Sequence, residues 1–229
     1  MRKSAIIRAA SNSRTLLPDS VGQTRKISNM DGVLTPETLD GNPMKQFGSW
    51  FDDAVTAGIG EPNAMVLTTV GEGPHARTVL LKSHGDEGFT FYTNRTSRKG
   101  RDLAADPRCC AVFPWYPLGR QVTVEGSARP LTTGESERYY HSRPWLSQIS
   151  AWASRQSTVL ASRAELDDRV TELAARWPEG TEVPMPGFWG GYLIRPERVE
   201  FWQSRPNRLH DRLSYRREGT DWIIERWSP

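Results

Sequence analysis

AMVLTTVGEGPHARTVLLKSHGDEGFTFYTN, residues 64–94, is the stretch that decides the fold. It holds three short runs rich in β-branched and aromatic residues, at 64–70, 76–82 and 88–93. Gly71-Glu72-Gly73-Pro74 separates the first two and Gly85-Asp86 the last two, so the spacing predicts strands joined by turns. Upstream, Asn42 is a candidate cap for a helix starting at Pro43, with Met44, Phe47, Phe51 and Val55 on its buried face. Downstream, 97–105 reads as a short helix ending near Asp106-Pro107, 109–115 and 120–126 as strands, and 133–141 as a helix. Ser162-Arg163-Ala164-Glu165 has the pattern of a capping box opening a helix with Leu166, Val170, Leu173 and Trp177 on one face. Strands at 189–195 and 198–203 follow, then a hairpin of 213–217 and 222–226 turning at Glu218-Gly219. Strands that mostly follow one another, with few helices between, predict an α+β, mainly β chain with an antiparallel sheet. An antiparallel barrel is the economical way to hide the edges. Residues 1–40 are polar and irregular and are expected to form a mobile arm; 41–229 read as one domain.

Composition excludes several classes. The net charge is only +3, and the arginines are scattered rather than clustered, which suits discrete phosphate or carboxylate contacts and not a nucleic-acid surface. No apolar run reaches the roughly 18 residues of a membrane span. Residues 1–26 lack the apolar centre of a signal peptide, so a cytoplasmic protein is expected. Cys109 and Cys110 are adjacent, point to opposite faces of a strand, and offer neither a disulfide nor a metal site. Nine tryptophans are many, and some are expected to line a pocket for a flat ligand.

Four clusters could hold chemistry. Residues 77–82, RTVLLK, end a strand with Arg77 and Lys82; alone, this fits a solvated edge strand as well. FYTN at 91–94 runs into SRKG at 97–100, where a helix start with two cations makes a plausible anion site. Tyr139 and Arg143 are at helical spacing with Ser147 close behind, and together they suit a phosphate, although an ordinary helix end would look similar. Residues 199–212 place Arg208, His210 and Arg212 on one face if extended; such a face repels itself unless an anion or an acidic partner sits there.

Taken together, EPNAM at 61–65, RTVLLK, FYTN with SRKG, FPW at 113–115 with RQV at 120–122, YYHSRP at 139–144, SQISAWASRQS at 147–157, WGGY at 189–192 and VEFWQ…NRLHDR at 199–212 resemble the pyridoxine/pyridoxamine 5'-phosphate oxidase family from about residue 43 to 229. The resemblance implies an antiparallel split barrel of Greek-key type. It also implies a homodimer with two FMN sites at the interface, both subunits contributing to each. By the same resemblance, FMN is held by residues 77–82 (Arg77, Thr78, Val79, Leu80, Leu81 and Lys82), by Tyr92, Thr93, Arg98, Lys99, Gln121, Gln156 and Ser157, and by Trp202 and Arg212. Lys82, Tyr139, Arg143 and Ser147 would meet the substrate phosphate, with Arg208 and His210 over the pyridine ring as the catalytic pair. The implied reaction oxidises pyridoxamine or pyridoxine 5'-phosphate to the aldehyde with oxygen as acceptor; no metal is implied.

Two departures stand out. Ser204 replaces the usual glycine after the FWQ triplet and would be strained if that turn needs positive φ. KISNMDGVL at 26–34 lacks the Tyr of the RxxY arrangement that often folds over the substrate in the family. Both leave room for a sibling reading, the flavin oxidases of phenazine biosynthesis, which act on larger tricyclic aromatics. A non-catalytic flavin- or pyridoxal-phosphate-binding barrel would keep the FMN residues and lose the substrate ones; both sets are present. A nucleic-acid-binding barrel would show steep salt dependence.

Overall fold

The computed structural model describes residues 33–229. In chain order its elements are α1 (Pro43–Thr56), β1 (Ala64–Val70), β2 (Pro74–Leu80), β3 (Ser83–Gly85), β4 (Gly88–Asn94), α2 (Arg98–Ala105), β5 (Arg108–Trp115), β6 (Arg120–Pro130), α3 (Thr133–Ser142), α4 (Trp145–Ala153), α5 (Arg163–Arg176), β7 (Trp189–Gln203), β8 (Asp211–Glu218) and β9 (Asp221–Arg226).

All strand pairs are antiparallel, in the order β2-β1-β5-β6-β7-β4-β3, with β8 added to β7 and β9 to β8. The two ends of that path, β2 and β3, are consecutive in the chain with only Leu81 and Lys82 between them. The sheet is therefore curled into a barrel whose seam is those two residues. Leu81 turns into the core, while the Lys82 N–H donates across to Thr90 O at 2.8 Å. The expected strand over 76–82 is β2, which starts and ends two residues earlier, because the chain bends at Leu81 and Lys82 to reach the other edge; β3 begins after that bend.

Alternation along β1 and β5 sends Met65, Leu67, Ala111 and Phe113 inward. Helix α1 plugs the barrel. Asn42 caps it by accepting the Met44 N–H, and Phe47 packs edge-on against Phe89 and Phe113, both at 4.8 Å between centroids. Val55, expected on the buried face, is exposed; Trp50 and Ala54 take that role because the barrel mouth meets the helix about one residue earlier. The expected strands at 189–195 and 198–203 form one strand, β7. Pro196 is tolerated at its centre because the register there steps past Glu197, between the pairs Gly126–Pro196 and Glu125–Arg198.

Helices α3, α4 and α5 make a second layer around Tyr140, Ile149, Val183 and Trp189. Helix α4 was not legible in the sequence. Three tryptophans pack within this layer: Trp145 Nε1 donates to Trp177 O and Trp152 Nε1 to Pro184 O. Glu165 at the start of α5 reaches back to the Ala161 N–H, not to Ser162, so that expected box is incomplete; Thr132 and Glu135 form a complete one at α3. The last part of the expected arm, residues 33–40, touches the domain at a few points. Leu34 and Leu39 are buried, the Leu34 N–H donates to Asp211, and the Tyr215 hydroxyl donates to Asp40 O. The remainder of the expected arm, with most of KISNMDGVL, lies outside the described residues. Among the described residues no helix is long and apolar enough to cross a membrane, and no group of acidic, His or Cys side chains could hold a metal.

Candidate active site

A cleft of about 670 Å³ opens between the barrel and the helical layer. From β2 and the seam it is lined by Arg77, Thr78, Val79, Leu80 and Lys82, and from β4 by Tyr92, Thr93 and Asn94. Lys99 of α2, Trp189 of β7 and, from the helical layer, Tyr139, Arg143, Ser147 and Gln156 complete the wall, with Pro144, Ser150, Ala151 and Ser154 between them. An adjoining cleft shares Arg77 and Lys99 and adds His75, Arg98 and Ser157. Sequence reasoning therefore placed most of one wall, and it missed Trp189 and Asn94, for which the WGGY and FYTN motifs were the available signal.

Lys99 is the electrostatic centre of one end. Ser97 caps α2 and points the helix start into the cleft, which buries Lys99. Its Nζ donates to Gln156 Oε1 (2.7 Å), Thr93 Oγ1 (3.0 Å) and Ser97 Oγ (3.3 Å), all uncharged. Burial, aided by the nearby Arg77 charge, lowers its pKa to about 8. Arg77 is likewise lowered by burial, with Asp102 acting the other way. Two partly desolvated cations side by side repel, and an anion in the cleft removes that repulsion. Ser157, beside Gln156, holds φ of 68°, a conformation unusual for a residue with a side chain.

At the other end sits Arg143, just past the end of α3. Its guanidinium lies 4.9 Å from the Trp189 ring centroid and 5.8 Å from that of Tyr140. Burial lowers its pKa, and its Nη1 is buried with no hydrogen-bond partner among the described residues. Between the two cationic ends stand three near-parallel rings: Tyr92 on Tyr139 at 3.9 Å and on Trp189 at 5.4 Å. Gly191 makes that stack possible, since a Cβ there would lie 2.8 Å from Tyr92 Cε1 and 2.5 Å from Leu131 Cδ1.

The remaining residues form a separate group. Gln121 pairs with Trp202 across β6 and β7, and Trp202 with Arg212 across β7 and β8. None of these three lines either cleft, nor do Arg208 and His210. Trp202 is thirteen residues beyond Trp189 on the same strand, roughly 40 Å if straight at about 3.3 Å per residue.

The expectation that Arg208, His210 and Arg212 share one extended face is not met. Pro206–Arg208 is a 3-10 turn in which Asn207 and Arg208 have φ of 58° and 60°, so only Arg212 lies in a strand. The repulsion expected there is relieved within the chain. Arg212 forms a two-pronged pair with Glu200, both contacts 2.8 Å, and donates to Ser228 O. His210 packs against Trp202 at 4.5 Å, and its Nδ1 accepts the Arg205 N–H at 3.1 Å. Ser204 has no positive φ, so the feared strain is absent; its N–H donates to Gly119 O. Leu81 also departs from its expected role. Its side chain is in the core, and its backbone N–H and C=O both pair with Asn63.

Comparison with known proteins places this architecture. Residues 51–177 match the family described as "Pyridoxamine 5'-phosphate oxidase", and residues 189–229 match the "Pyridoxine 5'-phosphate oxidase C-terminal dimerisation region". A pyridoxine/pyridoxamine 5'-phosphate oxidase of Frankia alni is 52% identical over 218 residues, covering 93% of this chain and 90% of that protein. Its counterpart in Frankia casuarinae is 56% identical over 190 residues, 81% of this chain and 71% of that one. Among solved structures, PhzG from Burkholderia lata in complex with tetrahydrophenazine-1-carboxylic acid superposes with a TM-score of 0.80 at 32% identity, covering 86% of this chain and 98% of that one. A pyridoxamine 5'-phosphate oxidase-related, FMN-binding protein from Nostoc punctiforme shares the fold alone, with a TM-score of 0.66 at 13% identity. On the match across both regions of the chain and the identity to these relatives, this chain belongs to the pyridoxine/pyridoxamine 5'-phosphate oxidase family.

Proposed function

We propose that this chain is an FMN-dependent oxidase that converts pyridoxamine or pyridoxine 5'-phosphate to pyridoxal 5'-phosphate, with oxygen as acceptor and hydrogen peroxide as by-product; the amine also consumes water and releases ammonia. One observation supports this most directly. A single cleft has two cationic ends without acidic partners in hydrogen-bonding reach among the described residues: the buried Lys99 with three neutral oxygens, and the half-buried Arg143 with a buried, unpartnered Nη1. Two phosphate-bearing molecules, a flavin mononucleotide and its reductant, fit that donor set.

Lys99, Arg98 and Arg77 would hold the FMN phosphate, with Thr93, Gln156 and Ser157 fixing Lys99 and the cleft rim. Arg143, Tyr139, Ser147 and Lys82 would hold the substrate phosphate. The flat wall of Tyr92, Tyr139 and Trp189 keeps water from the space between. FMN, when bound there, would supply the two-electron redox chemistry between substrate and oxygen. Orienting the substrate's reacting carbon against the cofactor would be the chief contribution of the chain's own residues.

A second copy of the chain is needed. Gln121, Trp202, Arg208, His210 and Arg212 gather around the far end of β7 and line neither cleft of their own chain, whereas Trp189 at the near end does. A twofold homodimer brings the far end of one subunit to the cleft of the other, in keeping with the dimerisation region matched at 189–229. Because His210 Nδ1 accepts a backbone N–H, its proton resides on Nε2. The ring then offers the substrate a donor, not a base, and Arg208 is the orienting partner. Cys109 and Cys110 are unpaired thiols with pKa values raised by burial to about 12 and 11, which suits a cytoplasmic setting.

The superposition on PhzG favours a second reading, oxidation of a reduced tricyclic aromatic. The test is to purify the protein, assay it for bound FMN, and offer pyridoxamine 5'-phosphate, pyridoxine 5'-phosphate and a reduced phenazine carboxylate under air while following peroxide. Turnover of either vitamer is expected; turnover of the phenazine alone selects the second reading, and no FMN or no turnover rejects both.

A further inference from the structure

Asp102 of α2 is a carboxylate buried beside an anion site, where a negative charge works against the ligand. It is 7% exposed. It accepts the Thr69 hydroxyl at 2.7 Å, faces His75 Nδ1 at 3.0 Å, and lies 3.7 Å from Arg77 Nη2. Thr69 also accepts from Arg77 Nη1 at 2.8 Å, and the same Nη1 donates to Leu67 O at 3.0 Å. Arg77 is thus held from two sides, by β1 and by α2. Gly71, in the turn between β1 and β2, leaves the room this needs: a Cβ there would come 2.5 Å from Asp102 Oδ1 and 3.3 Å from the His75 ring. Burial opposes ionisation of Asp102, but the Thr69 and His75 hydrogen bonds and the charges of His75 and Arg77 outweigh it, and its pKa is lowered.

The geometry has a direction. His75 and Arg77 come from β2, whereas Arg98 and Lys99 come from α2, and all four line one cleft. Asp102 is one turn along α2 from Arg98 and Lys99 and is the link that ties the two β2 side chains to that helix. We propose that Asp102 is a positioning residue for the cofactor phosphate, aligning Arg77 and His75 with Arg98 and Lys99, and that His75 is a further ligand of that phosphate. The inference rests on the reading of this cleft as the FMN site. It yields an outcome opposite to simple electrostatics. Removing the negative charge at Asp102 weakens phosphate binding, because the loss of alignment exceeds the gain in potential.

The test compares FMN with riboflavin, which lacks the phosphate, by quenching of flavin fluorescence on the flavin-free protein. For Asp102→Asn the FMN dissociation constant is expected to rise about tenfold, the equivalent of one charge-assisted hydrogen bond, while that of riboflavin changes less than about twofold. Tighter or unchanged FMN binding overturns the proposal, as does equal weakening of both flavins, which marks a merely structural residue. Should Asp102→Asn not fold, His75→Gln decides. His75 lies at the cleft surface, and its replacement is expected to weaken FMN about threefold with riboflavin unchanged; an unaltered FMN-to-riboflavin ratio overturns the proposal. A native chain that does not prefer FMN to riboflavin instead rejects the cofactor reading itself, and this inference with it.

Discussion

Arg143→Met separates a residue kept for binding from one kept for folding. In the free chain the Arg143 side chain gains little: its guanidinium stacks on Trp189, worth about 0.5–2 kcal/mol, while its buried, unpartnered Nη1 costs about 1–3 kcal/mol in lost hydration. These nearly cancel, and methionine can fill the same slot. The variant should therefore unfold within about 4 °C of the native protein, since 1 kcal/mol shifts Tm by roughly 2–4 °C in a domain of this size. Binding is different. A phosphate oxygen gives Nη1 its missing partner, and losing one member of a desolvated charged pair costs about 2–4 kcal/mol, or roughly 30- to 900-fold. That loss should appear in kcat/KM for pyridoxamine 5'-phosphate and be small for unphosphorylated pyridoxamine. Melting curves and steady-state peroxide production measure both. A large fall in Tm with unchanged kcat/KM for the phosphorylated amine would refute the reasoning and make Arg143 a packing residue.

Three further outcomes follow from the same geometry. Lys99 has a pKa lowered to about 8, chiefly by burial, from an ordinary value of 10.5. Its unfolded form therefore binds the extra proton between those values, so the flavin-free protein should gain stability as pH rises through that window, while FMN affinity falls over the same range; in Lys99→Met both trends should vanish from denaturation and fluorescence titrations. Mixing inactive Lys99→Met with inactive Arg208→Ala under conditions of subunit exchange should restore about a quarter of native activity, because half the dimers are mixed and each then has one intact site; no recovery in verified mixed dimers would mean that each chain builds its own site. Gly191→Ala forces a methyl against Tyr92 and Leu131 and should destabilise by about 1–3 kcal/mol while disturbing the ring stack, read by denaturation and near-ultraviolet circular dichroism.

The sequence displayed the barrel because its strands alternate and its turns are marked by glycine. It displayed the cleft wall from β2, β4 and α2 because Arg77 lies within a short strand, Lys82 just past it, Thr93 near the end of the next strand and Lys99 in the first turn of a helix. What it concealed was of two kinds. Helix α4 opens after Pro144 without a capping side chain, and its apolar residues face tryptophans from far along the chain, so its local pattern is weak. The turn at Asn207 and Arg208 was concealed for another reason: two successive residues of left-handed backbone carry no glycine to announce them, and the stretch reads as extended. The Glu200–Arg212 pair was likewise invisible, because it joins neighbouring strands whose register no local pattern fixes.

Strand β7 acts as a ruler. It is clamped along its length by β6 on one side and by β4 and then β8 on the other, with one register step at Pro196. The span from Trp189 to Trp202 is therefore set by counting residues and not by the softness of a hinge. In the proposed dimer this fixes how far apart the two catalytic centres stand. Inserting one residue between them would turn Trp202 to the opposite side of the sheet, spoiling the neighbour's centre while leaving the subunit's own cleft untouched.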